Sequence, residues 1–463
     1  MTTFRDHLDS LAKNGDLITV SEQVHWDEEA TTIAAEALEH SCCALRFAST
    51  PGAVDFASGV YAGRAQISSK HHRPWHRISR SLGYGREYEY VRLLDALSRR
   101  ETRNLKEVTF DEPAAVAGVQ DDLYSLGLPT IGGDGRQLLT LGLIAVEREG
   151  TTSWIPIRGT IHRRSQLHLS VPQRFVDWCD DDRPASVILG VAASALVAAL
   201  QGWTLDRTDP AVPELAAGID GITLATVEGR IVPANAEVRI DGEMSFVDKD
   251  LAGPTAAWER GCETATVALE TESIALRESP VVPFVPLGAP LADDLYLSSL
   301  VEAAALYRRI NGYWGVSPVS WIQLPVESGL GLCLVASEIL YSGFEWQLAN
   351  ALFSFSEFFD KVLILDEHSE PADLASALDD MWVKAHPSND WTFSDPNAPA
   401  ASAPLYRREG ETGSNLYINA TWDPRWDEEY IAPRVTFESS YPEEIRESAL
   451  ARWDDLDSES NDG

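Results

Sequence analysis

Several things are scarce in this chain, and each scarcity narrows what it can be. Of its 37 basic residues only 6 are lysine. Basic residues of either kind are outnumbered by 72 acidic ones, which leaves a formal net charge of −35 and a sequence pI near 4.5. Such a surface repels phosphate backbones and anionic lipid headgroups, so neither nucleic acid nor a membrane is expected as a partner. No run approaches the roughly 18 apolar residues of a transmembrane helix. The longest apolar stretch, Val187 to Leu200, is shorter and rich in Ala and Gly. The opening MTTFRDHLDSLAKNGDL has no apolar core of the kind a signal peptide carries. The five cysteines (Cys42, Cys43, Cys179, Cys262, Cys333) show no C-x-x-C spacing. An odd number without framework spacing suits a reducing, cytoplasmic setting in which they serve as small apolar residues. P-loop, G-x-S-x-G and H-E-x-x-H motifs are absent, and Gly83-Tyr84-Gly85 and Gly329-Leu330-Gly331 lack the strand–loop–helix context of a dinucleotide fingerprint.

What is present is ample for folding. A hydrophobic fraction of 44% with 14 Trp, 13 Tyr and 14 Phe supports packed cores, and 463 residues imply two or three of them. Phe4, Leu8 and Leu11 recur at helical spacing before Asn14-Gly15, and strands are expected at 17–20 and 44–47 with a helix over 26–39 between them. Strands dominate the middle, over 139–147, 151–161, 166–171 and 263–276, with a helix start at Arg174 and a strand running into a helix over 186–200. Prolines 280, 283, 286 and 290 punctuate an extended crossing. Strand and helix then alternate. A helical pattern over 295–309 and the apolar run Lys361 to Asp366, typical of a buried parallel strand, stand out. The division expected is 1–115, 116–305, 306–453 and an acidic, disordered tail over 454–463.

The stretch Ile231 to Glu259 draws most attention. Val238, Ile240 and Met244 alternate with Arg239, Asp241 and Glu243, the mark of a strand with one buried face. Asp248-Lys249-Asp250 and Ala252-Gly253-Pro254 then form a charged loop and a tight turn, a common way to present side chains to a pocket. The histidine-rich His71-His72-Arg73-Pro74-Trp75-His76 reads as a basic surface loop, since no carboxylate or cysteine sits at ligand spacing.

Taken in order, FRDHLDSLAKNGDLITV, DDLYSLGLPTIGGDGRQLLTLGL, SWIPIR, PQRF, VPANAEVRIDGE, LAGP, KVLILDEHSEPADLASALDDMW and YINATWDPRW resemble segments of the UbiD family of non-oxidative decarboxylases, over nearly the whole chain. The resemblance implies an α+β fold. Its parts are an N-terminal α/β unit, a middle split β-barrel like that of flavin reductases, and a C-terminal α/β domain that mediates oligomerisation. It implies prenylated FMN as cofactor, supplied by a flavin prenyltransferase, and a small aromatic or unsaturated carboxylic acid as substrate.

The same resemblance assigns residues. Arg158, closing SWIPIR, falls at the family's catalytic arginine, whose fork suits a carboxylate. The family's two catalytic glutamates fall at Ala252 and Ala257, and alanine carries no proton. Asp250 and Glu259 lie just outside them. Both read as solvated loop charges unless a two-residue shift of the turn brings one in as the acid–base group. Cofactor contacts map to Ser153, Trp154, Arg174 and Glu214. Of the metal set, Asn has become Ser153, His has become Arg174, and Glu214 alone keeps its type. An arginine repels a cation and pairs directly with phosphate, so Arg174 is expected to replace the metal's charge. Two readings follow. One is a decarboxylase (or reverse carboxylase) using Arg158 with Glu259 or Asp250. The other is a non-catalytic UbiD-like subunit that stabilises a competent partner. Either is expected as a homodimer, a higher homo-oligomer or a hetero-oligomer.

Overall fold

The computed structural model describes residues 2–25, 29–40, 43–62, 75–85, 89–117, 122–130, 135–179, 182–205, 208–247, 255–369, 374–401 and 413–422, with a few positions between 442 and 452. Asp250, Ala252, Gly253, Pro254, the 132–134 turn, His71 to Pro74 and the 454–463 tail lie outside these residues.

The middle of the chain closes a barrel. Strands Leu138–Arg148, Thr151–Arg163 and Gln166–Pro172 form an antiparallel meander. Thr264–Leu276 pairs with the third of these, and Val238–Val247 joins Thr264–Leu276 to Arg183–Leu189, which pairs back onto Leu138–Arg148. Six antiparallel strands thus meet with no free edge among them, which removes the liability an open sheet carries. A bulge between Asp241 and Gly242 bends one wall, and Gly242 is obligatory there: a Cβ would sit 2.0 Å from the Glu270 carbonyl oxygen of the neighbouring strand.

The alternation that predicts one solvated face on Val238–Val247 is only half right. Val238, Ile240 and Met244 are fully buried, but so are Arg239 and Asp241, and only Glu243 of the polar set is exposed. The hairpin of Leu224–Val227 and Arg230–Pro233 supplies the reason. It turns on Glu228 and Gly229, both at positive φ as a tight two-residue hairpin turn requires, and carries Arg230 to this face. There Asp241 accepts from Ser186 at 2.6 Å and from Arg239 at 2.9 Å, with the Arg230 guanidinium 3.6 Å away. The charges are buried because they are paired with one another.

The N-terminal unit is a four-stranded sheet ordered Leu17–Val20, Ala44–Phe47, Asp55–Ser58, Val281–Pro283, packed under helix Phe4–Lys13. Its last strand is the first part of the proline-punctuated crossing, and it occupies a sheet edge, where prolines are tolerated. The C-terminal sheet runs Val319–Gln323, Leu332–Ser337, Lys361–Asp366, Leu416–Ala420, Trp391–Phe393. Lys361–Asp366 lies central and parallel to both neighbours, as its continuous apolar run predicts. Helix Asp293–Tyr313 joins the units and runs through residues 305 and 306, the expected boundary. At its start Asp293 accepts the backbone N–H groups of Val60, Tyr61 and Ala62 at 3.1, 2.8 and 2.6 Å.

The described end of the histidine-rich segment departs from the surface-loop reading: Trp75 and His76 are buried, and His76 opens a short helix, His76–Ser81. Cys43, Cys179 and Cys333 are buried and Cys262 is half-buried. No helix among the described residues is long and apolar enough to cross a membrane.

Removing the shared carboxylate of the barrel network tests its weight. Asp241→Ala leaves the buried Arg230 and Arg239 without their common partner, and urea unfolding is expected to show a loss of roughly 3 kcal/mol, with Asp241→Asn losing less.

Candidate active site

Arg158 and Ser170 are direct cross-strand partners on adjacent barrel strands, so their side chains emerge side by side. Both are buried. The short 3-10 turn Ala257–Gly261 brings Glu259 to them. One Glu259 oxygen accepts from the Ser170 hydroxyl, and the other accepts from Arg158 Nε and from the Ala256 backbone N–H at 2.6 Å. Glu259 therefore caps its own turn while neutralising an arginine on the barrel wall. Reading Glu259 as a solvated loop charge is wrong: the residue is 8% exposed and locked by three donors. Gly261 ends the turn because a Cβ there would lie 2.2 Å from the Phe358 ring.

A second acid reaches the same turn. Ala257 donates its backbone N–H to Asp294 Oδ2 at 2.7 Å, from the first turn of the Asp293–Tyr313 helix. Burial is the main cause holding the Asp294 carboxyl above the usual carboxylate range, and the Glu259 charge adds to it.

Beyond Gly261 the chain forms one wall of a cavity of about 900 Å³. Gly261, Cys262 and Glu263 line it beside Gln173 and Arg174, the Gln173 N–H donating to the Glu263 carbonyl at 2.8 Å, and Glu302 of the long helix lines it too. Arg100, Arg308 and Arg309 add positive charge to the lining, and Arg309 lies 3.8 Å over the Phe355 ring. Burial pushes the Glu302 carboxyl up to about 7 against a hydrogen bond with Ser356 that lowers it. Burial and the nearby Glu259 charge push the Cys262 thiol up to about 12.

The other residues singled out in the sequence are placed as follows. Arg174, in helix Gln173–Cys179, lines the cavity and donates to the Leu205 carbonyl. Ser153 is buried and accepts from the Trp203 indole N–H at 3.1 Å. Trp154 is buried, with its own indole N–H bonded to the Ile231 carbonyl at 2.8 Å. Glu214 lies in the first turn of helix Val212–Ile219, away from the cavity lining. Asp250 falls outside the described residues. Arg158 and Glu259 are thus brought together, and Arg174 stands at the cavity. Ser170, Asp294 and Glu302 go unnoticed in the sequence. Only Glu302 carries a signal, as a lone acid in the apolar run Leu300-Val301-Glu302-Ala303-Ala304.

Two models of one family match the chain. The N-terminal domain of 3-octaprenyl-4-hydroxybenzoate carboxy-lyase matches residues 8–97, and the C-terminal domain matches residues 295–420. The chain belongs to the UbiD family. A curated relative, pyrrole-2-carboxylic acid decarboxylase of Pseudomonas aeruginosa, is 22% identical over 98% of this chain and 97% of its own. Among solved structures, the vanillic acid decarboxylase of Sedimentibacter hydroxybenzoicus in its open form aligns with TM-score 0.77 at 16% identity, covering 99% of both chains. An evolved dimeric form of the UbiD-class enzyme HmfF from Pelotomaculum thermopropionicum, in complex with prFMN, aligns with TM-score 0.74 at 16% identity, covering 96% of this chain and 100% of that one. The split-barrel α+β architecture expected from the sequence is the one these UbiD-class neighbours share.

Two measurements check the electrostatics. Glu259→Ala strips a buried guanidinium of its carboxylate and is expected to cost about 3–5 kcal/mol in denaturant unfolding. Glu302 titrates higher folded than unfolded, so the folded state holds its proton more tightly. Its effect is a stability that falls as pH rises from the ordinary glutamate range, near 4.5, to about 7, and is flat above. Glu302→Gln is expected to make that decline shallower, the remainder belonging to Asp293 and Asp294, whose carboxyls are also raised, and thermal unfolding across the window reads the difference.

Proposed function

We propose that this UbiD-family chain is a non-oxidative carboxy-lyase that removes CO2 from a small aromatic or unsaturated carboxylic acid, or adds it in reverse. The observation that carries the reading is the buried Arg158, held on the barrel wall by Glu259. The non-catalytic alternative rests on a site without carboxylates, and Glu259 supplies one.

Arg158 binds the substrate carboxylate in this reading, because a guanidinium stays charged and offers a fork of donors. Glu259 and Ser170 fix its orientation. Ala256, Ala257 and Trp258 form an apolar surround that excludes water. A carboxylate stripped of water is destabilised relative to neutral CO2, which favours loss of the group.

Prenylated FMN, when bound, supplies the electron sink for the carbon that loses CO2. The cavity next to the Glu259 turn suits a mononucleotide, since Arg174 on its wall can take the phosphate. The family's metal does not fit this chain. Among the described residues no group of three His, Cys, Asp or Glu is placed to hold one, and the position of its histidine is Arg174. The phosphate is therefore held by guanidinium charge alone. Partners follow from the chemistry: a flavin prenyltransferase to supply the cofactor, and a second copy of this chain. The C-terminal unit exposes Trp382 at 83% and Trp346 at 56% of their surface, apolar area that self-association would cover.

The test is co-expression with a flavin prenyltransferase, followed by CO2 release from a panel of acids that includes pyrrole-2-carboxylate. Decarboxylation is expected, and Arg158→Lys is expected to lower kcat/KM by about 100-fold through loss of the fork. A flavin-loaded protein that releases CO2 from none of the panel overturns the reading. Flavin retention after chelation, with release on Arg174→Ala, checks the metal-free anchor.

A further inference from the structure

Two carboxyl groups share one turn and are treated differently by it. Ala256 and Ala257 present consecutive backbone N–H groups. The first goes to Glu259 and the second to Asp294, at 2.6 and 2.7 Å. Glu259 has both oxygens occupied, by Arg158, Ser170 and Ala256. Asp293, next to Asp294 on the helix, is likewise spent on the amides of residues 60–62.

Asp294 is the exception. It is 3% exposed and its Oδ1 is buried with no hydrogen-bond partner, although the Asp294 and Leu295 backbone N–H groups near the carboxyl work, with that of Ala257, against the effect of burial. A bare carboxylate oxygen in that position is costly, and the cost is relieved when the oxygen carries a proton. The charged groups around it are Glu259 from the turn, which disfavours a second negative charge, Arg158 behind Glu259, and Asp293 on its own helix. Where environments push two neighbouring carboxyls apart, one stays ionised and the other serves as the acid.

We propose that Asp294 is the proton-carrying acid of this site, standing in for the carboxyls the chain lacks at Ala252 and Ala257, while Glu259 is the partner that orients Arg158. The inference rests on the decarboxylase reading above. In the forward direction the bond from the substrate carbon to CO2 breaks and its electron pair stays on carbon. A C–H bond then forms with the proton from Asp294 Oδ1. Asp294 is left as a carboxylate, stabilised by the Ala257 N–H, and regains a proton from water. No oxidant or reductant is consumed, and the reverse reaction runs the same transfer backwards.

The first measurement needs no substrate. Infrared spectra of protein labelled with 13C at the aspartate carboxyls, recorded near neutral pH, are expected to show a buried protonated carboxyl that disappears in Asp294→Asn and persists in Glu259→Gln. Asn keeps an acceptor for the Ala257 N–H but has no acid proton. Asp294→Ser does the same with a hydroxyl and serves if the amide variant does not fold. The second measurement is turnover: Asp294→Asn is expected to lower kcat by at least about 100-fold with KM little changed, in the range a lost general acid produces. Deuterium uptake into product from D2O is expected to slow in step. A carboxyl band indifferent to Asp294→Asn, or turnover within a few-fold of wild type, overturns the proposal. Wild-type protein without any decarboxylation sinks the functional reading instead, and the infrared band still decides whether Asp294 carries a proton.

Discussion

A buried arginine must have its charge answered, and much of the middle of this protein is arranged around answering Arg158. Desolvating a guanidinium costs several kcal/mol unless a well-placed carboxylate and further hydrogen bonds compensate it. Barrel closure fixes where Arg158 points, because its strand is held on both sides and a one-residue slip would send the side chain to the opposite face. The carboxylate has to come from outside the barrel. That need explains the tight turn at 257–261, its glycine against Phe358, and the buried positions of Ala256 and Ala257. The turn is the shortest device that delivers Glu259 while supplying its own amide to it.

The same turn is tied to a more distant part of the chain. Asp293 and Asp294 begin the long helix with one carboxylate on the N-terminal unit and the other on the active-site turn. Adjacent residues at a helix start point in different directions, so a single turn of helix reaches two bodies at once. Burial pushes the Asp293 carboxyl up to about 6 although three amides oppose the shift, which measures how far this junction is removed from water. The Glu259 turn is thus bonded, through Ala257, to the same helix start that holds residues 60–62.

Elements whose signal is local are legible in the sequence. The barrel strands, the helix before Asn14 and the parallel strand Lys361–Asp366 follow from periodicity and turn residues, and Arg158 and Arg174 follow from motif order. What escapes is non-local. The burial of Arg239 and Asp241 depends on a separate two-stranded hairpin that delivers Arg230, and alternation within one strand carries no trace of it. Ser170 matters because it is opposite Arg158, a fact of register. Asp294 looks like an ordinary acidic residue complementing a helix dipole. Glu259 is the instructive case. The resemblance puts alanine at both acid positions, whereas the fold brings the carboxylate of Glu259, two residues beyond Ala257, onto Arg158.

Charge balance links these local substitutions to the molecule as a whole. A protein with 35 excess negative charges repels anions at long range. Entry then depends on the local field within the cleft, which low-dielectric walls focus. Four arginines on the cavity wall provide that field, and the acids Asp177, Glu263 and Glu357 on the same lining work against it. Glu302 is the acid whose burial pushes its carboxyl up to about 7, so that its opposition to the arginines weakens as the pH falls below neutrality.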